Sequence, residues 1–268
     1  MLTTLEDLKT YRWIVEHSRY QPNYEAFIEE DRRIGDDGIA APSGPLTPIQ
    51  TLLQKLMHIE KTAYMLMDEP DEMESLFAVM HDLNLQAYRL LAESPAVATF
   101  TYEDTSTTVL SRAWYQDYCM PYLDQYADIV KAGGKTCIIH MCGKLKGFAR
   151  EVGAGRMDGI DSLCQPTTGD FWPYEARACW ADKIIIGGIE PSYMQRCGEE
   201  EMLRYTVDIL NRMAPGRDFI LCSGDAVSYG TPLVNLYHVT QLVEAYGGMP
   251  LQDGIDPDEA VKRFLHNC

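Results

Sequence analysis

Positive charge is scarce in this chain. Its 268 residues carry 23 Lys and Arg against 40 Asp and Glu, a formal net charge of −17. A nucleic-acid surface needs a basic patch, and anionic lipid repels an acidic face, so both partner classes are disfavoured. A local basic pocket stays open, for instance around Lys144 and Lys146. Long apolar runs are also missing; none approaches the length of a membrane span. A disulfide framework is absent too. Cysteines stand at 119, 137, 142, 164, 179, 197, 222 and 268 without framework spacing, as expected of reduced thiols that mostly serve as small buried hydrophobes. The start, Met1 to Asp7, is acidic and mixed, unlike a signal peptide, and the expected compartment is the cytoplasm.

What is present reads as an ordinary soluble domain, 46% hydrophobic and 24% charged. Residues 5–34 look helical but polar. A short strand is expected at Ile39 to Pro42, and a helix from Thr47, as N-cap with Pro48 at the first helical position, to about Met65. Helices are expected over Asp71–Leu91, over 111–132 with a kink or restart at Pro121, and over 144–152. Further helices are expected over 173–180, 199–213 and from Thr231 to about Tyr246, with a short one in the tail 251–268. Tyr115, Tyr118, Tyr122 and Tyr126 form a stripe expected to pack against a sheet. Strands fall near 97, 136, 160, 184 and 218. With the one near 39 they make six strand–helix units, hence parallel β/α architecture in a single domain, 1–268.

One stretch organises the rest: Cys137-Ile138-Ile139-His140-Met141-Cys142-Gly143. It reads as an apolar strand. Side chains two apart on a strand share a face, so His140 and Cys142 point one way and Cys137 the other. An imidazole and a thiolate are two legs of a tetrahedral zinc site, or simply a buried His near a buried Cys; two ligands alone do not make a site. Other polar residues collect at strand ends: Glu103 and Asp104, Asp161 and Asp170, Glu190, Cys222 and Asp225. In β/α folds the chemistry sits on that face.

Together, His140-Met141-Cys142-Gly143, Gly159-Ile160-Asp161, Gly187-Gly188-Ile189-Glu190-Pro191 and Gly224-Asp225 with Thr231-Pro232 resemble the uroporphyrinogen decarboxylase superfamily. Gly44-Pro45-Leu46-Thr47 resembles its Gly-Pro-x-Thr turn. The resemblance covers about residues 35–246. His-x-Cys-Gly is the mark of its zinc-dependent corrinoid methyltransferase branch. The resemblance implies a (β/α)8 TIM-barrel-like fold, here N-terminally shortened because the six units match the family's last six. It implies zinc, a corrinoid (cobalamin) carried on a partner protein, and a small-molecule methyl donor or acceptor. His140 and Cys142 would be metal ligands. The branch's third ligand, a Cys six residues before Thr-Pro, is Asp225 here, with Cys222 three residues earlier; either could complete the site. Glu103, Asp161 and Glu190 would be pocket acids.

Three readings follow. The first is methyl transfer between a corrinoid protein and a thiol or methylated substrate, in either direction. The second is decarboxylation, for which Asp225 stands where the decarboxylase has a loop-end His, and Thr51 about where it has a Tyr. The third is a non-catalytic paralogue that binds metal or corrinoid protein. Three explanations of the open barrel stand: the helical segment 5–34 covers it, a partner subunit in a homo-oligomer covers it, or the chain is a fragment. Phe171 and Trp172 suit an aryl substrate, but packing is the preferred role.

Overall fold

The computed structural model describes residues 1–265; the last three, with Cys268, lie outside the described residues. Within that span the chain falls into two compact units. The first comprises residues 1–141 and 154–159, the second 142–153 and 160 onward.

The first unit opens with two helices where one polar stretch was expected. α1 spans Leu5–Glu16 and α2 spans Glu25–Ile34. Thr4 and Asp7 cap α1 reciprocally, and Asp7 is held near pKa 2, chiefly by the Thr3 and Thr4 donors around it. Pro22 sits in the gap between the helices. The expected helix after Thr47 is broken into α3 (Pro48–Thr51), one π-helical turn (Leu52–Leu56) and α4 (Ile59–Asp68). The break falls at His58, which adopts φ +68°, outside any helix. Thr47 precedes α3, yet its side chain makes no cap bond; its hydroxyl goes elsewhere, as described below. α5 (Pro70–Glu93) is the long helix of this unit and matches its expected span closely.

β1 (Ala98–Glu103) and β2 (Thr136–Met141) pair in parallel, with Tyr102 opposite His140 and Glu103 opposite Met141. The strand expected at 39–42 does not form. Only an isolated bridge joins Ser43 to Phe100, through Phe100 N–H to Pro42 O at 3.0 Å and Gly44 N–H to Phe100 O at 2.7 Å. Pro42 and Pro45 have no N–H to extend a ladder, so among the described residues five strands form rather than six. Between β1 and β2 lie α6 (Arg112–Tyr118) and α7 (Met120–Ala132), the restart expected near Pro121. The tyrosine stripe packs mainly on α5, not on a sheet. Tyr118 meets Phe77 edge-on at 5.2 Å, Tyr122 stacks on His81 at 4.2 Å and Tyr126 stacks on Tyr88 at 4.1 Å. These rings shield a polar seam inside the layer.

In the second unit β3 (Gly159–Leu163), β4 (Ile184–Ile189) and β5 (Phe219–Ser223) lie side by side in chain order, and β4 and β5 run parallel. Between them come α8 (Ala149–Ala154) before β3, α9 (Pro173–Cys179), α10 (Pro191–Arg196) and α11 (Glu199–Met213). α12 (Leu233–Tyr246) and α13 (Pro257–Leu265) follow β5. β4 is buried nearly throughout, as its unbroken apolar run requires. Gly187 has φ +139°, and a side chain there would overlap the Leu163 carbonyl, so β3 and β4 approach closely at that point. At the opposite end of these strands Arg177 donates to five carbonyls: Trp180, Ala181, Lys183, Arg217 and Asp218. One guanidinium thus ties the turn before β4 to the turn before β5. Among the described residues no helix is long and apolar enough to cross a membrane.

Candidate functional site

In the first unit the strand-end residues divide by face. Thr99, Thr101 and Glu103 lie on the helix side of β1, where Tyr88 of α5 bonds Thr101 at 2.7 Å. Tyr102 lies on the other face, opposite His140, with ring centroids 5.2 Å apart. Glu103 therefore faces away from His140.

The Glu103 carboxylate is fully buried. Its Oε1 accepts Thr47 N–H at 2.6 Å and its Oε2 accepts the Thr47 hydroxyl at 2.8 Å. Burial raises its pKa to about 7, against the pull of the two Thr47 donors. The rest of the Gly44–Thr47 turn is held as firmly. Tyr88 donates to Pro45 O at 2.9 Å and Asn84 to Leu46 O at 2.8 Å. Asn84 also reaches the Tyr126 hydroxyl, which meets His81 Nδ1 at 2.9 Å. Next to Glu103, the Asp104 carbonyl accepts Gln50 Nε2 at 2.7 Å. Glu103 is thus a positioning group for this turn.

His140 ends the first unit's pair of strands, and β2 closes one residue later, at Met141. Cys142 follows the strand as the first residue of the second unit and is half-buried. Cys137 is fully buried, in keeping with a packing role.

In the second unit several loops meet around two glycines. A side chain on Gly169 would overlap the Cys164 carbonyl and stand 3.1 Å from Gly143 O. A side chain on Gly224 would stand 2.6 Å from Cys164 Cβ and 2.8 Å from its Sγ. The backbone beside Cys142, the end of β3 and the loop after β5 are thereby brought together. Asp170 fixes the first of these, accepting Leu145 N–H at 2.8 Å and Lys146 N–H at 3.0 Å. Ser162 fixes the third, donating to Gly224 O at 2.5 Å. Lys146 forms an ion pair with Glu175 at 2.9 Å, so its charge is already answered.

Two thiols stand at this junction. Burial, then Glu190, Asp225 and Cys222, push Cys164 up to about 12. Burial, then Asp161, push Cys222 up to about 12 as well. The Cys222 Sγ lies 3.2 Å from Ser223 O. Both remain neutral thiols at physiological pH and become nucleophiles only when a cation or base lowers the pKa. Asp161 and Asp225 are therefore within electrostatic reach of the thiols. Asp225 also accepts its neighbour Ala226 N–H at 2.6 Å.

Glu190 is buried and has a defined task. It caps α10, accepting Tyr193 N–H, the Ser192 hydroxyl at 2.8 Å and the Thr168 hydroxyl at 2.6 Å. Burial would raise its pKa, but these bonds together outweigh burial and hold it below the usual carboxylate range. Phe171 is buried and meets Trp180 edge-on at 5.2 Å, a packing contact.

Cys164 is the residue that sequence reasoning passed over as a buried small hydrophobe. Buried it is, but at the junction rather than in a helix core. A signal existed: Cys164 directly follows β3 as Cys142 directly follows β2.

A family model for uroporphyrinogen decarboxylase (URO-D) matches residues 38–246. The chain belongs to the URO-D family. Among solved structures it is similar to a methyltransferase from Methanosarcina mazei, with TM-score 0.64 and 13% sequence identity, over 92% of this chain and 68% of that one. At that identity the likeness establishes the fold, and the URO-D chain has the parallel, TIM-barrel-like α/β fold. No curated protein matches it.

The His-x-Cys-Gly resemblance implies zinc, and His140, Cys142, Cys222 and Asp225 are the donors concerned. Their chemistry suits zinc, being imidazole, thiol and carboxylate. Among the described residues no group of three His, Cys, Asp or Glu side chains stands ready-made as a metal site.

Proposed function

We propose that this URO-D family member is a methyltransferase that moves a methyl group between a corrinoid protein and a thiol or a methylated small molecule. The observation that carries this reading is the thiol-bearing junction of the second unit, where the Cys142 loop, Cys164 and the Cys222–Asp225 loop meet around Gly169 and Gly224. In such a transfer the atom that gains or loses the methyl group belongs to the small molecule, and the protein's thiols would hold the metal that activates it. Membership of the URO-D family and likeness of fold to a methyltransferase support it.

In this proposal Asp161 is the acid beside Cys222, and Glu190 and Glu103 act through the loops they hold. Glu190 would keep α10 and Thr168 in place; Glu103 would keep the Gly44–Thr47 turn. Zinc dependence, with His140, Cys142 and either Cys222 or Asp225 as ligands, rests on donor chemistry and the His-x-Cys-Gly resemblance. The corrinoid partner and a cytoplasmic setting rest on that resemblance and on composition.

The family's name favours decarboxylation as a second reading. It would require a pocket for a substrate rich in carboxylates, and the one lysine beside the Cys142 loop whose partner is defined, Lys146, already serves Glu175.

Elemental mass spectrometry of the purified chain, beside Cys142→Ala, tests the zinc part. About one zinc per chain, lost in the variant, is the expected result. Zinc in neither, from chelator-free preparations, overturns the zinc-dependent reading.

A further inference from the structure

The first unit contains a cavity of about 440 Å³, within the range of small-molecule sites. One wall is the segment around Tyr20, Tyr24 and Phe27; another is Pro42 and Pro45; the floor is α5 near Leu91. Lys55 lines it as well and is the one ionised group among its lining residues. The amides of Gln21 and Asn23 stand at its exposed rim.

Three observations mark it as a formed site. First, the walls are fixed. Tyr24 donates to Leu90 O at 2.8 Å, and Tyr88 donates to Pro45 O at 2.9 Å. Gly44 must lack a side chain, because the Tyr88 hydroxyl stands 2.5 Å from where its Cβ would be. Preorganised walls spare a ligand the cost of ordering them. Second, α2 has no fully buried residue, and its half-buried Phe27 lines the cavity. Third, Lys55 is exposed and makes no ion pair among the described residues. In a chain of net charge −17 such a local cation selects for negative charge at short range, inside the Debye length.

We propose that this cavity binds a small organic anion with an aromatic or alicyclic body, the ring against Tyr24, Phe27 and the prolines, and the anionic head on Lys55. The wall from Tyr20 to Phe27 precedes the region matched by the family, 38–246, while Lys55, the prolines and the α5 floor lie within it.

The probe is 1-anilinonaphthalene-8-sulfonate, followed by fluorescence on the folded full chain, with neutral N-phenyl-1-naphthylamine beside it. One saturable sulfonate site per chain is expected. Lys55→Met should weaken the sulfonate about tenfold, leave the neutral compound unchanged, and be rescued by Lys55→Arg. Leu91→Trp, checked for folding by circular dichroism, should remove binding of both. Absence of saturable binding overturns the proposal. So does sulfonate affinity indifferent to Lys55→Met.

Discussion

Glu103 holds Thr47 with both carboxylate oxygens, at 2.6 Å to the backbone N–H and 2.8 Å to the hydroxyl, from a fully buried position. The groups within electrostatic reach of it are Asp104, Tyr88, Cys119 and Tyr126, all acidic. This bond pair joins the end of β1 to the turn that starts α3. It explains why Thr47 does not cap that helix with its own hydroxyl.

The pKa of about 7 at Glu103 has a stability consequence. The folded pKa is raised above the unfolded value, so the neutral form is favoured in the fold. Its contribution is full below about pH 4.5 and is lost as pH rises through about 7. Glu103→Gln removes this titration. Relative to wild type, the variant should gain up to about 3 kcal/mol on going from pH 5 to pH 8, read from urea midpoints. A difference between the two proteins that does not change with pH would contradict the assignment.

Glu190 should behave oppositely. Its pKa is held low, so its contribution is present above the unfolded pKa and is lost as pH falls. Glu190→Gln should cost about 1–2 kcal/mol at pH 7 through the weakened cap of α10. The penalty should shrink toward pH 3 in denaturant titrations.

Arg177 binds five carbonyls and makes no carboxylate contact among the described residues. Lysine cannot reproduce that fork. Arg177→Lys should lower stability by about 2–3 kcal/mol. Hydrogen exchange should quicken at the starts of β4 and β5 first.

Gly224 touches Cys164 with no room for a methyl group. Gly224→Ala should cost about 1–3 kcal/mol by overpacking. Adding Cys164→Gly should restore part of that loss, because both of the closest atoms a Cβ would meet belong to Cys164. Purely additive penalties in a double-mutant cycle would show that the two residues do not touch.

Much of the fold was legible. α11 spans Glu199–Met213, the interval its acidic start and apolar stripe define, and β4 lies where Ile184 to Ile189 run. Illegible parts have local causes. The strand at 39–42 gives way to an isolated bridge at Ser43 because Pro42 and Pro45 cannot donate, and the helix after Thr47 breaks at a positive φ that His58 does not advertise. The tyrosine stripe was visible at helical spacing, but periodicity does not say that α5 covers it. Of the site, the strand-end positions were legible from spacing. Which face Glu103 takes was not, because it depends on the partner Thr47, 56 residues away.

The most direct measurement is thiol-dependent methyl transfer from methylcobalamin, followed by mass spectrometry of the S-methylated product with simple thiols such as homocysteine or 2-mercaptoethanesulfonate. The account predicts product with wild type and loss of at least a hundredfold with Cys142→Ala. No product from zinc-supplemented, folded wild type with any thiol or methylated donor in either direction would contradict it.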